Sequence, residues 1–427
     1  MNKKIWNTKN IKSSKEIDLF LSSDDIELDK YIFVHDIDGT IAHVKSLRSI
    51  DILKASEESK ILKKLKELKL NYINGSFKLS NKYEDCHSAI EIFLIKELGD
   101  IGKKIHTGRS RNDQVLVATR LFAKEQLINI KNQNKLIASQ FLTLAFKHEK
   151  IPMPGYTHIQ RAMPSSWGLW FASFAESFID NIDLIIKTID WIDSNPLGTA
   201  AGYGVALPLD RKKTTKDLGF NRIQINSLYA QNSRGKYEMQ IINTLKQPML
   251  DLRKFAWDMS LFLSQEFNLL SIDNKYSTGS SIMPNKSNPD VIEIIRANYS
   301  ILAGLSSELE NLLSLPSGYH RDLQLTKRSL VSSFIICFQT LSIIPDILKS
   351  IKVNKTNSSK YINEDMMMTD KVYENVAAGM SFRDAYDLVK NNPVDKKINT
   401  VKSKNYSLGS PKNLELNILK KRLTKIR

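Results

Sequence analysis

A long stretch of the sequence without proline or glycine constrains the fold more than any other feature. Between residues 114 and 147, apolar side chains recur three and four positions apart, which is the spacing of a helix with one buried face. The stretch predicts a single helix much longer than the average helix of a globular protein. Similar patterns predict four more long helices, over residues 165–192, 236–267, 289–313 and 325–351.

These five helices predict an all-α protein. Long helices that each carry a wide apolar stripe and are joined by polar loops pack together as a bundle. We predict three helical domains: an N-terminal domain over residues 1–109, a central long-helix bundle over residues 110–350, and a small C-terminal domain over residues 351–427. Glycine- and proline-rich loops join the helices, and loops on a rigid scaffold commonly carry the functional residues.

Composition and cysteine usage favour a soluble, cytoplasmic protein. Hydrophobic residues make up 42% and charged residues 25% of the chain, which are ordinary values for a globular protein. No apolar run approaches the roughly 20 residues of a membrane span, and residues 1–16 lack the apolar segment of a signal peptide. Cys86 and Cys337 have no CxxC or Cys/His spacing, so we expect neither a disulfide nor a structural zinc.

The net charge of +16 raises the question of a polyanionic partner. A basic surface attracts nucleic acids and anionic membranes without sequence specificity. The lysines are scattered, however, and are not interleaved with the aromatic residues that stack on bases. We therefore interpret them as a solvated surface and predict neither a nucleic-acid nor a membrane partner.

The segment over residues 279–290, GSSIMPNKSNPD, predicts an anion-binding loop. Asn288 followed by Pro289 is a typical helix start, with an N-cap side chain and a proline at the first helical position. Such a start directs free N–H groups and the positive end of the helix dipole at the loop, and Lys286 adds a full charge. A plain Ser/Gly-rich surface loop would explain the serines and glycine but not the order Met-Pro-x-Lys-x-Asn-Pro.

This segment resembles the signature of the superfamily of fumarase, aspartase, adenylosuccinate lyase and argininosuccinate lyase, whose members eliminate fumarate from a succinyl compound. Other segments are similar to blocks of the argininosuccinate lyases: DIDGTIAH at 36–43, EDCH at 84–87, HTGRSRNDQ at 106–114, PGYTHIQ at 154–160, NPLGTAAG at 195–202, YHRDLQ at 319–324 and SFRDAY at 381–386. The resemblance covers nearly the whole chain, in order.

The resemblance implies an all-α fold in which four subunits associate through their long helices into a twenty-helix core. It further implies a homotetramer whose active sites each gather loops from three chains, acting on the small molecule argininosuccinate. It implies no cofactor and no metal.

The implied reaction is a β-elimination that releases fumarate and L-arginine. It requires a base for the Cβ proton, stabilisation of the carboxylate that takes up the charge, and an acid for the departing nitrogen. By the resemblance, Ser280 is the base, His158 is the acid, and Glu293 pairs with the His158 imidazole. Lys286 and the loop N–H groups would favour the Ser280 anion, and Asn288 would donate a hydrogen bond.

Substrate contacts are also implied by the resemblance. They fall on Asp29, Ser110, Arg111, Asn112, Thr157, Arg211, Tyr319, Gln324 and Lys327. Arginine grips carboxylates with two parallel hydrogen bonds, lysine supplies a point charge, and Asp29 suits a cationic group. The remaining histidines are predicted to be structural: His35, His43, His87, His106, His148 and His320.

Some positions depart from the common family pattern. Asp24 and Asp25 stand where many members have two serines, Ser287 where a second lysine is frequent, and His320 where asparagine is. Two alternatives stay open: another fumarate-releasing lyase such as adenylosuccinate lyase or fumarase, and a crystallin-like relative that keeps the fold without turnover. The Gly-Arg-Ser-Arg-Asn block counts against the first, and the retention of Ser280, Lys286 and His158 counts against the second.

Overall fold

The computed structural model describes residues 17, 20, 24–80, 82–392 and 406–426. Residues 1–16, in which we expected no signal peptide, lie outside this part, as do portions of the predicted N- and C-terminal domains. The α-helices are α1 (Asp25–Ser49), α2 (Ala55–Ile73), α3 (Cys86–Leu98), α4 (Asp100–Lys103), α5 (Arg111–Lys147), α6 (Trp167–Ile192), α7 (Arg211–Asp217), α8 (Ser227–Asn232), α9 (Lys236–Phe262), α10 (Asp290–Leu312), α11 (Thr326–Ser350), α12 (Lys355–Lys360), α13 (Met368–Ala377), α14 (Phe382–Asn391) and α15 (Leu416–Lys425).

The strands are short and form two-stranded sheets. They are β1 (Pro152–Thr157), β2 (Gln160–Ser166), β3 (Ser194–Asn195), β4 (Arg222–Ile223), β5 (Leu270–Ser271), β6 (Thr278–Gly279), β7 (Ser287–Asn288) and β8 (Lys352–Val353). They pair as β1–β2, β3–β4, β5–β8 and β6–β7, with only β3–β4 parallel. The prediction of an all-α fold is confirmed, since these strands only tie loops together.

The five predicted long helices are confirmed as α5, α6, α9, α10 and α11. The α9 helix contains Pro248 in its interior and ends at Phe262 rather than at residue 267. Ser264 explains the earlier end, because its hydroxyl donates to the Leu261 carbonyl at 2.8 Å and accepts from the Phe267 N–H at 3.3 Å. Such side-chain bonds compete with the helical ladder.

The proline-rich segment over residues 152–164, which joins two of the predicted helices, is a β-hairpin rather than an irregular loop. Strands β1 and β2 pair antiparallel from Pro152 opposite Ser166 to Thr157 opposite Gln160. Ser166 then starts α6, because its hydroxyl accepts the Leu169 N–H at 3.1 Å, as expected of an N-cap residue. The hairpin therefore holds Thr157 at one end of a rigid ribbon anchored at the start of a long helix.

The chain packs into two compact units, each assembled from three stretches. The first unit comprises Met1–Asn129, Ile185–Leu245 and Ile301–Ile336, and the second comprises Ile130–Leu184, Lys246–Ser300 and Cys337–Arg427. Each of the five long helices has residues in both units. The predicted division into three domains stays a prediction.

The core of the first unit includes side chains from helices and from an irregular segment. Ala42 on α1, Val117 on α5, and Leu197 and Phe220 in the segments beside β3 and β4 form one buried cluster. Their contact buries the segment after β3 against α5. The predicted substrate contacts Arg111 and Asn112 lie at the start of this helix.

The core of the second unit is aromatic. Phe141 on α5 lies 5.4 Å from Phe174 on α6 and 5.3 Å from Phe255 on α9, measured between ring centroids. Edge-on and stacked rings at these distances stabilise one another beyond their buried area. Trp167, fully buried at the start of α6, donates its indole N–H to the Ser358 hydroxyl at 2.9 Å.

One segment, Arg321–Ser350, which contains α11, is long and apolar enough to cross a membrane by length and composition alone. The expectation that no segment reaches this length is therefore wrong. Its apolar character has another explanation, because 56% of its most apolar window is buried inside the protein. Leu330, Phe334, Leu341 and Ile344 are among its core residues.

Candidate active site

A cavity of about 410 Å³ lies within the first unit. Its wall contains five of the residues that the family resemblance places on the substrate: Arg111, Asn112, Tyr319, Gln324 and Lys327. The other lining residues are Asp25, Glu84, Asp85, His87, Val115, Arg234 and Arg321. Residues far apart in the sequence thus meet around one polar cavity, as a site for a charged small molecule requires.

Arg111 is fixed at the cavity wall by carboxylates. Its guanidinium donates to Asp85 at 2.8 Å and lies 3.2 Å from the Glu84 carboxylate. Asp85 is also the N-cap of α3, accepting the Ser88 N–H at 2.7 Å. Burial raises the pKa of Asp85, but the charges of His87 and Arg111 outweigh burial and hold the pKa below its usual value. The carboxylate is therefore charged at neutral pH and orients Arg111.

Ser110 lies beside the cavity and organises the start of α5. Its hydroxyl accepts the Asn112 N–H at 3.2 Å, and its own N–H donates to Asp113 at 3.0 Å. Asp113 also accepts the N–H groups of Gly198 at 2.9 Å and Ala200 at 3.1 Å. Through Asp113, these bonds connect the HTGRSRNDQ segment at residues 106–114 to the Gly-rich segment after β3.

Lys327 is buried between two carboxylates. Its ammonium group lies 3.0 Å from Asp25 and contacts Asp29 directly. Burial alone would lower the pKa of Lys327, but the charges of Asp29 and Asp25 outweigh it and raise the pKa. Lys327 is therefore charged, although much of its charge is compensated within the protein.

Asp29 is fully buried behind this contact. One of its oxygens accepts from Lys327 and the other accepts the Cys86 N–H at 2.8 Å. The predicted role of Asp29 as acceptor of a cationic substrate group stays untested, and the geometry gives it a different one: it supports Lys327 and the start of α3.

The cavity wall also contains a histidine that we predicted to be structural. The His87 Nδ1 bonds Asp36 at 2.7 Å, and Asp36 accepts in addition the Gln114 amide at 2.7 Å. Burial lowers the pKa of His87, but the charge of Asp36 and its hydrogen bond outweigh burial and raise the pKa. The contact with Asp36 therefore favours the protonated form of His87 at the cavity wall.

The His87–Asp36 pair should make stability depend on pH. A histidine whose pKa is raised by folding contributes stability that is fully present below its unfolded pKa and is lost as pH rises through the folded pKa. We expect His87→Gln to cost more unfolding free energy at about pH 6 than at about pH 9, measured by urea denaturation. An equal loss of unfolding free energy at both pH values would show that the His87–Asp36 pair makes no pH-dependent contribution to stability.

Asp36, Cys86 and His87 also bring three potential metal ligands within 4.8 Å of one another, all buried. Burial raises the pKa of the Cys86 thiol well above its usual value, which disfavours the thiolate that binds metals. The 2.7 Å separation of His87 and Asp36 is that of a hydrogen bond. We interpret the cluster as a buried hydrogen-bonded network.

Arg211 does not line the cavity. Its guanidinium donates to backbone carbonyls of Leu197 at 3.0 Å and Gln224 at 2.6 Å. Its side chain also packs 3.0 Å from the position that a Cβ on Gly198 would occupy. The geometry therefore supports a role for Arg211 in holding the Gly-rich segment, whereas the predicted grip on a substrate carboxylate finds no support in it.

The predicted catalytic loop lies in the second unit, between β6 and β7. Thr278 pairs with Asn288 and Gly279 with Ser287, so the ends of the loop are held side by side. The helix that follows starts at Asp290, one residue later than predicted, because Asn288 belongs to β7. Lys286 is exposed within the loop.

Ser280 is the residue of this loop whose hydroxyl oxygen accepts two backbone N–H groups. Its hydroxyl oxygen accepts the backbone N–H groups of Met283 at 3.0 Å and Ile282 at 3.3 Å. Two amide donors directed at one oxygen stabilise negative charge on it. The local geometry therefore suits an oxygen that becomes an anion.

His158 lies at the tip of the β1–β2 hairpin, next to Thr157. His158 and Ile159 have φ angles of 54° and 58°, so the turn uses the left-handed region that side chains rarely adopt. Such strain often marks functional turns. Within the described part of the chain no hydrogen bond links the His158 imidazole to Glu293, which lies in the first turn of α10.

Sequence reasoning missed several cavity residues. Asp25, Arg234 and His87 line the cavity, although no motif had assigned them to the site. One signal for Asp25 was visible in the sequence, because an aspartate stands there where many family members have a serine. The signal for His87 was its position two residues after Asp85, which with Glu84 forms the acidic pair that holds Arg111.

Comparison with known proteins identifies relatives of this chain. A family model described as Lyase matches residues 19–302. The argininosuccinate lyase of Xylella fastidiosa (strain Temecula1 / ATCC 700964) is 48% identical over 384 residues, covering 90% of this chain and 86% of the relative. That of Xanthomonas oryzae pv. oryzae (strain PXO99A) is 48% identical over 382 residues, covering 90% and 89%.

Solved structures agree on the fold. An EDDS lyase variant with bound fumarate superposes with a TM-score of 0.76 at 24% identity, covering 89% of this chain and 76% of that one. A class II fumarase from Schistosoma mansoni gives 0.73 at 15% identity, covering 87% and 85%. With nearly half of the residues identical along nine-tenths of its length, the chain belongs to the argininosuccinate lyase family.

Proposed function

We propose that this chain is a carbon–nitrogen lyase that splits argininosuccinate into fumarate and L-arginine, the last step of making arginine from that compound. The observation that carries the proposal is the pair of backbone N–H groups directed at Ser280, in a loop whose sequence matches the family signature. Family membership supplies the reaction, and this geometry supplies a group able to start it.

The reaction begins at the Cβ proton of the succinyl group. Ser280 removes this proton as an alkoxide, a state that the Met283 and Ile282 N–H groups stabilise. Lys286, with its full positive charge, and Asn288, as a hydrogen-bond donor, stabilise the carboxylate that takes up the charge. Closure of this exposed loop over the substrate would exclude water and strengthen each of these interactions.

The elimination is completed by protonation of the departing nitrogen. His158 supplies that proton. A pairing of the imidazole with Glu293, which the described residues of the single chain do not make, would fix its tautomer and keep the proton available. Thr157, adjacent to His158, donates a hydrogen bond to the substrate. The cavity side chains Arg111, Asn112 and Tyr319 bind its charged and polar groups.

The chain acts as a homotetramer in which each site combines loops of different subunits. The long helices support this, because they leave large apolar side chains exposed in the single chain: Leu250 and Trp257 on α9, Ile294 and Ile301 on α10, and Phe338 and Ile343 on α11. Exposed apolar residues of this kind mark association surfaces. Light scattering should give four times the chain mass of 48.7 kDa, and a monomer would contradict the proposal.

We place the enzyme in the cytoplasm. Cys86 and Cys337 are both free and buried, which fits a reducing compartment. The activity itself is tested by following the absorbance of fumarate after argininosuccinate is added to the purified protein. Arginine should form at the same rate, and failure to form either product would refute the proposed function.

A further inference from the structure

The loop that carries Ser280 exposes two adjacent apolar side chains. Ile282 is 86% exposed and Met283 is 46% exposed, and both lie between Ser280 and Lys286. Apolar surface in contact with water is unfavourable, whereas a loop that closes over a substrate removes such surface from water. We therefore expect both side chains to be covered when the loop closes.

The backbone of Met283 holds the two ends of the catalytic turn. Its N–H donates to the Ser280 hydroxyl oxygen at 3.0 Å, and its carbonyl accepts the Lys286 N–H at 3.1 Å. The position of Met283 thus fixes both a donor directed at Ser280 and the turn that carries Lys286. A chemical change that alters where the Met283 side chain can lie would act on both groups.

Met283 also carries a thioether that solvent can reach. Within the described part of the chain, Met163 and Met380 are the other exposed methionines, each at 38%, and the remaining ones are buried or half-buried. Peroxides oxidise accessible thioethers to sulfoxides. Met283 is the exposed methionine that lies in the same loop as Ser280.

The two cysteines are poor competitors for a peroxide. Cys86 and Cys337 are both buried, and burial raises the pKa of each thiol above its usual value. The thiolate is the form that reacts with oxidants, and both the raised pKa and the lack of access disfavour it here. An oxidant that reaches this protein is therefore expected to react first at exposed methionines.

We propose that Met283 is an oxidation site at which a hydroperoxide blocks turnover. The thioether sulfur attacks one oxygen of the peroxide, the O–O bond breaks and an S–O bond forms. The sulfur loses two electrons, the peroxide is reduced by two electrons, and its other oxygen leaves as water or as an alcohol. The proposal rests on the proposed function, because it takes Ser280 to be the base of the reaction.

The sulfoxide would act by opposing closure of the loop. A sulfoxide is polar, so its burial without a hydrogen-bond donor carries a cost that burial of a thioether does not. Closure then becomes less favourable, and the Ser280 alkoxide loses the water-free surroundings that favour it. We expect kcat to fall at least about tenfold, the factor that corresponds to burial of one unpaired polar group.

The test is timed treatment of the purified protein with hydrogen peroxide. Each sample is assayed for fumarate release from argininosuccinate, and peptide mass spectrometry measures the fraction of Met283 that has gained one oxygen. Activity should fall in step with that fraction. Methionine sulfoxide reductases with dithiothreitol should restore it, and dithiothreitol alone should not.

Two variants separate Met283 from other oxidation sites. Met283→Leu keeps an apolar side chain and both backbone hydrogen bonds, and Met380→Leu is the matched control because it removes an exposed thioether from the turn between α13 and α14. Each variant is compared with its own untreated activity. Met283→Leu should resist peroxide, and Met380→Leu should be inactivated as fast as the unmodified protein.

Full conversion of Met283 to the sulfoxide with unchanged kcat would overturn the proposal. So would oxidation of Met380 without oxidation of Met283, or equally fast inactivation of Met283→Leu. Repair of the unmodified protein by the reductases remains decisive even if Met283→Leu is slow before treatment. A protein that releases no fumarate before peroxide is added would refute the proposed function instead, and mass spectrometry would still show whether Met283 is oxidised.

Discussion

Replacing Ser280 by alanine is expected to lower kcat by about 10²–10⁴-fold, the range over which a positioned general base contributes. The variant loses the oxygen that accepts the Met283 and Ile282 N–H groups, and no other side chain of the loop is held by two such donors in the described structure. The Michaelis constant should change little, because the cavity residues lie in the other unit. Steady-state kinetics on argininosuccinate measures both quantities.

Ser281→Ala provides the control, since it removes a hydroxyl group from the adjacent exposed residue. This variant should keep most of the activity. A Ser280→Ala variant that turns over as fast as Ser281→Ala would remove Ser280 from the mechanism and require another base.

Replacing Lys327 by methionine is expected to lower the unfolding free energy by about 3–5 kcal/mol, the usual cost of removing one partner of a buried ion pair. Without the ammonium group, Asp29 stays fully buried beside Asp25, and both carboxylates lose the cation that contacts them. Urea denaturation near neutral pH measures the change. At this pH each carboxylate must either stay charged without the ammonium group or take up a proton, and both outcomes lower the free energy of unfolding.

Lys349→Met, near the other end of the same helix, is the matched control. Lys349 forms an exposed ion pair with Asp346 at 3.2 Å, with about two-thirds of each side chain accessible. Exposed pairs contribute at most about 1 kcal/mol. If Lys327→Met were no less stable than Lys349→Met, the buried cluster would not support the fold as we describe.

Helix-forming regions could be predicted from the sequence because apolar periodicity reports directly which face is buried. The boundaries of α6 and α11 fall within two residues of prediction, and Ser166 is the residue that caps α6. The β1–β2 hairpin was not predicted, since its prolines and its turn at His158 and Ile159 give no regular alternation. The membrane-length segment was missed because scattered serines and threonines interrupt its apolar residues.

The motifs predicted which residues belong to the candidate site, but they could not predict which side chains contact one another. Five predicted residues do meet around one cavity, whereas Arg211 binds backbone carbonyls and Asp29 is enclosed. A motif shows which side chain stands at a position, but its partners come from residues far away in the sequence. Lys327 illustrates this, because its charge is shared with carboxylates 298 and more positions earlier.

The proposed function is tested most directly by comparing how the purified protein acts on three possible substrates. Argininosuccinate, adenylosuccinate and malate are supplied separately, with fumarate followed by absorbance and arginine by chromatography. An argininosuccinate lyase should give equal amounts of fumarate and arginine from argininosuccinate and no fumarate from the other two. Fumarate from adenylosuccinate or malate alone, or from none of the three, would contradict the proposed function.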